Sequence, residues 1–173
     1  LQGGASIVQY RNKAADPRLR RQQAGALVAL CRQHDVPLIV NDDLDLALEV
    51  GASGLHLGAG DGDIAAARQV LGPDRLLGAS CYDRYELAVA AREAGADHVA
   101  FGAAFASATK PAAVPAPLQL YRRASEQLRL PIVAIGGITA ANAAQVIAAG
   151  ADAIAVITSL FGAPDIANAA SRL

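Results

Sequence analysis

Methionine and tryptophan are missing from this 173-residue sequence, and cysteine and lysine occur only twice each. The two cysteines, Cys31 and Cys81, have no metal-ligand spacing, and a chain this poor in thiols is no disulfide scaffold. The net charge is −1, so no global field draws in nucleic acid or an anionic membrane. No uninterrupted apolar run reaches the roughly 18 residues of a membrane-spanning helix. No secretion signal opens the sequence. The expectation is a cytoplasmic protein with reduced thiols and with neither nucleic acid nor membrane as partner.

Apolar residues make up 53% of the chain, mostly Ala, Val, Leu and Ile. That composition suits helices packed on a buried sheet, and the length suits one domain spanning residues 1–173. Thirteen of the fifteen basic residues are Arg, leaving Lys13 and Lys110 as the two Lys. In so Arg-biased a chain, these two mark positions that need a compact, flexible ammonium.

Short β-rich runs alternate with helical stretches. The expected strands are Ala5–Arg11, Pro37–Asn41, Gly54–Leu57, Arg75–Ala79, His98–Phe101, Pro131–Ile135 and Ala153–Ile157. The expected helices are Pro17–His34, Leu44–Val50, Ile64–Leu71, Arg84–Glu93, Pro117–Leu128 and Ala140–Ala149. Runs such as PIVAI and AIAVI read as strands covered on both faces, and strict alternation with helices means a parallel sheet. A repeat narrows the choice. Gly4-Ala5-Ser6, Gly51-Ala52-Ser53, Gly95-Ala96-Asp97 and Gly150-Ala151-Asp152 each join a helix end to a strand, with Gly as a left-handed helix cap. Their recurrence at every second β-α unit favours a (βα)₈ TIM barrel. Seven strands are countable, Leu1-Gln2-Gly3 reads as the tail of a helix, and Met is absent. A first strand and most of a first helix are therefore expected to be absent from this sequence.

In such a barrel, chemistry gathers where strands exit at their carboxyl ends. The first exit, IVQYRNK, places Val8 and Tyr10 on one strand face and Gln9, Arg11 and Lys13 on the other. That second face is either a solvated outer face or an anion-binding wall. The next exits carry Asn41, Asp42 and Asp43, then His56 to Asp61, then Ser80 and Cys81. After them come Ser107, Thr109 and Lys110, then Gly136-Gly137, then Ile157-Thr158-Ser159. Gly136-Gly137, before a helix capped by Thr139, is either a tight turn or a backbone cradle for phosphate. The neighbouring exit at Ile157-Thr158-Ser159 favours the cradle. Asp42 and Asp61 suit a hard cation that keeps phosphate and water as its other ligands, or else Asp42 caps a helix and Asp61 starts a turn. Asp43 and Asp63 read as a cap and a solvated residue. FASATKPAAVPAP reads as a binding loop or lid. His56 and His98 read as packed strand residues, and Cys81 has no base beside it to make a nucleophile.

The exits, in this order, resemble those of the thiamine-phosphate synthase family. VQYRNK, PLIVNDD, GLHLGAGD, GAS at 78–80, FASATK, AIGGIT and AVIT carry the resemblance across essentially the whole chain. It implies a barrel that joins a hydroxymethylpyrimidine diphosphate to a thiazole phosphate and releases pyrophosphate. It further implies that Gln9, Arg11, Lys13 and Asn41 hold the pyrimidine diphosphate and that Asp42 and Asp61 hold Mg²⁺. Ser80 and Lys110 would contact the diphosphate and leaving group, making Lys13, Ser80 and Lys110 the catalytic set. Ser107, Thr109, Gly137, Ile157 and Thr158 would bind the thiazole phosphate.

The sequence departs from the family pattern at several points. Ser107 stands where Thr is usual, Ala106 where Pro is usual, and Ala59-Gly60 where Gln-Glu is common, while Thr158 replaces a frequent Ser. Three other readings compete. A thiazole tautomerase-like isomerase shares AIGG but typically lacks the two Asp. A non-catalytic phosphate-binding barrel would not need both lysines. A sugar-phosphate isomerase would want a carboxylate acid–base pair at the barrel mouth. A homo-oligomer is left open by the sequence.

Overall fold

The computed structural model describes residues 1–106 and 114–173. Seven strands form one sheet in chain order, every neighbouring pair parallel. They are β1 (Val8–Tyr10), β2 (Leu38–Asn41), β3 (Gly54–Leu57), β4 (Leu76–Tyr82), β5 (His98–Phe101), β6 (Ile132–Ile135) and β7 (Ala153–Ala155). Between and after them run α1 (Pro17–Arg32), α2 (Leu44–Glu49), α3 (Ile64–Leu71), α4 (Tyr85–Glu93), α5 (Leu118–Gln127), α6 (Ala143–Ala148), α7 (Thr158–Phe161) and α8 (Ile166–Ser171).

A flat sheet of seven strands would hold its edges about 29 Å apart. Here Gly3, just before β1, packs on α8 so closely that a Cβ there would run into Ala167 and Ala170. The sheet is therefore curled in the manner of a TIM barrel. Alternation sorts its two faces. Leu38, Val40, Leu55, Leu57 and Leu77 pack with α1, α2 and α3 residues, and Val99, Phe101, Ile132 and Ala134 pack with α4 and α5 residues. The opposite, inner face carries Asn41, His56, Gly78 and His98 in one row across β2 to β5.

The repeat does more than cap helices. Its four glycines hold φ between 63° and 103° (Gly4, Gly51, Gly95 and Gly150), a region that disfavours any side chain. The third residue of three copies then pins the preceding strand. Ser53 Oγ accepts from Leu38 N at 3.2 Å, Asp97 Oδ2 from Leu77 N at 2.7 Å, and Asp152 Oδ2 from Ile132 N at 2.8 Å. These bonds fasten β2, β4 and β6 at their amino ends, opposite the rim where the exits open. Arg68 adds to the fastening, donating to the carbonyls of Gly95, Gly72 and Arg75 and pairing with Asp97.

Several boundaries differ from expectation. β1 and β7 have three residues each, and Lys13 lies beyond β1 rather than on it. β4 runs on to Tyr82 through a bulge between Ser80 and Tyr82. The sixth helix starts at Ala143, because Asn142 Oδ1 accepts from Thr139 N at 2.8 Å and its Nδ2 donates to Gly137 O at 3.0 Å. Those bonds hold 137–142 as a turn, so Thr139 caps no helix. Helix α8 was not expected. Among the described residues no helix is long and apolar enough to cross a membrane.

Candidate active site

The exits of β1, β2 and β3 border an open cavity of about 620 Å³ whose lining includes Arg11, Lys13, Asn41, Asp42 and Asp61. Each wall residue is placed by its own local bonds. Gln23 on α1 accepts from Tyr10 Oη at 2.9 Å and from Asn12 Nδ2 at 3.0 Å, tying down the end of β1. Asn12 Oδ1 accepts from Ala14 N and Ala15 N at 3.2 Å, which turns the chain sharply and leaves Lys13 over the cavity. Tyr10 is buried on the helix side, so Gln9 and Arg11 take the inner side, as alternation requires.

Asp42 continues the ladder to β3 through its N–H on His56 O at 2.9 Å. Its φ of 68° then swings the chain out of the sheet, a conformation Asp tolerates better than most residues. Asp43, not Asp42, caps α2, accepting from Leu46 N at 3.0 Å. Asp61 braces its own turn, its Oδ2 accepting from Gly58 N at 3.1 Å. The turn reading of Asp61 therefore holds, and its other oxygen lies 3.9 Å from Lys13 Nζ at the cavity. Asp63 is an exposed helix cap that accepts from Ala66 N at 2.7 Å.

Lys13 Nζ lies 2.6 Å from Asp42 Oδ2 and 3.9 Å from Asp61 Oδ1, so one ammonium sits between two carboxylates. Partial burial works against the Asp42 charge, yet its contacts with Lys13 and Asp61 and the charges of Lys13 and Arg11 outweigh it. The Asp42 carboxyl is held below its ordinary value. Among the described residues no cluster of three or more His, Cys, Asp or Glu could hold a metal. A cation here would have two side-chain carboxylates and an open remainder, which is how Mg²⁺ is bound beside phosphates. The converged carboxylates, already sharing one positive charge, fit that ion.

Gln9, Ser80, Gly137, Ile157 and Thr158 lie outside this cavity wall. Ser80 stands on the inner face of β4 with its Oγ 2.9 Å from His56 Nε2. Gly137 and Thr158 follow neighbouring strands, since Ile135 pairs with Ala155. Gly137 has a steric reason besides its turn: a Cβ would meet the carbonyls of Phe105 and Ala106 at 2.5 Å. Ile157 is exposed and Thr158 opens the short α7. Ser107, Thr109 and Lys110 lie outside the described residues. Cys81 turns to the helix side, fully buried, and burial pushes its thiol up to about 12. That excludes a thiolate nucleophile at neutral pH.

Sequence reasoning missed two rim residues. Arg20 reaches from α1 into the cavity and pairs with Asp43 at 2.9 Å. Its position inside a long helical run gave no signal. Tyr82 accepts from Ala59 N at 3.3 Å and so steadies the turn that carries Asp61. The signal there was an aromatic directly after the Gly-Ala-Ser-Cys exit.

A curled parallel sheet whose strand exits border a cavity lined by cations and carboxylates defines the class: a TIM-barrel-like α/β enzyme. Residues 1–160 match the family model described as thiamine monophosphate synthase. The thiamine-phosphate synthase of Thiobacillus denitrificans is 57% identical over 173 residues, covering 100% of this chain and 82% of that protein. The same-named protein of Chromobacterium violaceum is 57% identical, with 100% and 83% covered. The thiamine phosphate pyrophosphorylase structure from Pyrococcus furiosus superposes with a TM-score of 0.89 at 36% identity, covering 99% of this chain and 82% of that one. The chain belongs to the thiamine monophosphate synthase family.

Proposed function

We propose that this chain is a transferase of thiamine biosynthesis that couples hydroxymethylpyrimidine diphosphate to a thiazole phosphate, giving thiamine phosphate and pyrophosphate. The observation that carries the reading of the site is the Lys13 ammonium set between Asp42 and Asp61 in a cavity also lined by Arg11 and Asn41. In this reading Asp42 and Asp61 would hold Mg²⁺, which would supply positive charge to the diphosphate. Lys13 reaches a phosphate oxygen, and Arg11, Gln9 and Asn41 complete the grip. Asn41 Nδ2 is buried with no partner among the described residues, a donor that a bound ligand oxygen would satisfy.

No activated nucleophile or acid–base pair is required. As pyrophosphate leaves, the thiazole nitrogen attacks the pyrimidine methylene carbon. The protein's work is to neutralise the leaving group and hold two rings close. Ser80 and Lys110 contact the diphosphate, and Ser107, Thr109, Gly137, Ile157 and Thr158 form the thiazole phosphate cradle. We further infer that residues 1–173 belong to one (βα)₈ barrel domain and that the protein works in the cytoplasm. Ser6 supports closure, because it occupies the repeat position at which Ser53, Asp97 and Asp152 each fasten the strand before theirs.

The test mixes both phosphorylated heterocycles with the protein and Mg²⁺. Formation of thiamine phosphate and pyrophosphate, abolished by chelation and strongly reduced in Asp42→Ala, is the expected result. Isomerisation of the thiazole without coupling would refute the reading.

A further inference from the structure

His56 is the one polar side chain among the described residues that is buried outright, with 6% of its surface exposed. It leaves β3 on the inner face, and its Nε2 stands 2.9 Å from Ser80 Oγ on β4. Its Nδ1 is buried and has no hydrogen-bond partner among the described residues. The His98 ring approaches from the other side at 5.6 Å between centroids, so two imidazoles meet over Gly78, which has no side chain to obstruct them. A ring buried this deeply and facing a second imidazole is kept neutral. It then carries one proton, and the proton's place decides what Ser80 can do.

A proton on Nε2 is donated to Ser80 Oγ, and the hydroxyl then keeps its own proton for a ligand oxygen. A proton on Nδ1 reverses the bond. Ser80 would give its hydrogen to Nε2 and offer only lone pairs to an incoming anion. The Nδ1–H would also be a buried donor without an acceptor, which is rarer and costlier than a bare acceptor. Both considerations select the Nε2–H form.

We propose that His56 is a positioning residue that fixes the Ser80 hydroxyl as a hydrogen-bond donor toward the substrate diphosphate. This rests on the assignment of Ser80 to that group made above. His56 itself touches no substrate and transfers no proton. Its contribution is to remove the choice of direction from a hydroxyl that otherwise rotates freely.

Long-range proton–nitrogen correlation spectra of the ligand-free protein, labelled at histidine, test the tautomer without any variant. The expected pattern is a protonated Nε2 and a bare Nδ1 on His56, and the opposite pattern overturns the proposal. Kinetics with the pyrimidine diphosphate test the consequence. His56→Phe should lower kcat/KM roughly tenfold, the scale of one charge-assisted hydrogen bond. His56→Gln, which restores a donor, should recover most of that loss, and the KM for the thiazole phosphate should not move. His56→Phe combined with Ser80→Ala should be no worse than Ser80→Ala alone. Additive losses in the double variant overturn the positioning by His56. If Ser80→Ala by itself leaves kcat/KM unchanged, the assignment of Ser80 to the diphosphate falls and takes the proposal with it.

Discussion

Gly78→Ala is the smallest change that strikes the inner face. A Cβ at residue 78 would fall within van der Waals overlap of both the His56 and His98 rings. Neither ring has room to yield cheaply: His56 is buried, and His98 is half-buried on β5, a strand flanked on both sides by β4 and β6. Overpacking a well-filled site costs about 1–3 kcal/mol. Displacing His56 also breaks its bond to Ser80, worth about 1 kcal/mol more. We expect a total of about 2–4 kcal/mol, which for a chain of this size lowers Tm by roughly 5–15 °C. At 25 °C the variant should remain folded yet show a kcat/KM for the pyrimidine diphosphate roughly tenfold lower. Calorimetry and initial-rate kinetics on one preparation measure both. A Gly78→Ala protein with unchanged Tm and unchanged kcat/KM would show that the two rings do not meet over this residue, and the inner-face geometry would be wrong.

Other predictions follow from the same geometry. Gly25, inside α1 with open space around its Cα, should give the opposite sign, Gly25→Ala raising stability by about 0.5–1 kcal/mol in thermal melts. Because the folded His56 titrates at about 4, below its ordinary 6.5, the unfolded chain binds more protons between those values. Stability must therefore fall as pH drops from 6.5 toward 4, by about 3 kcal/mol for this group, and His56→Gln should flatten that limb in denaturant titrations. Tyr82→Phe, which removes the acceptor of Ala59 N–H, should raise the Mg²⁺ concentration needed for half-maximal rate by about two- to fivefold. Cys31 and Cys81, both buried, should resist iodoacetamide at pH 8 until denaturant is added, as mass spectrometry would show.

Much of this architecture was legible because it is written in local patterns. The apolar runs LIV and IVAI lie in the strands they announced, and Gly51, Gly95 and Gly150 hold the left-handed caps expected of them, whereas no helix precedes Gly4. Asp43 caps its helix because capping is decided within four residues. What escaped depends on partners distant in sequence. The start of α6 is set by Asn142 reaching back to Gly137, and Thr139 looked like the better cap because that reach is invisible to a pattern. His56 read as a packed strand residue, which it is, but its bond to Ser80 exists only through the β3–β4 register. Lys13 was placed on the strand, whereas Asn12 and Gln23 carry it beyond β1 and over Asp42. Periodicity gave no sign of α8, whose six residues are too few to show one.

The amino-end fastening by Ser53, Asp97 and Asp152 has a bearing on how such a protein can change. Its mechanical foundation and its chemical working surface occupy opposite poles, so a graft or deletion among the carboxyl-end loops leaves the foundation's anchors untouched. Variation in substrate can then accumulate at one pole while the other keeps the chassis rigid.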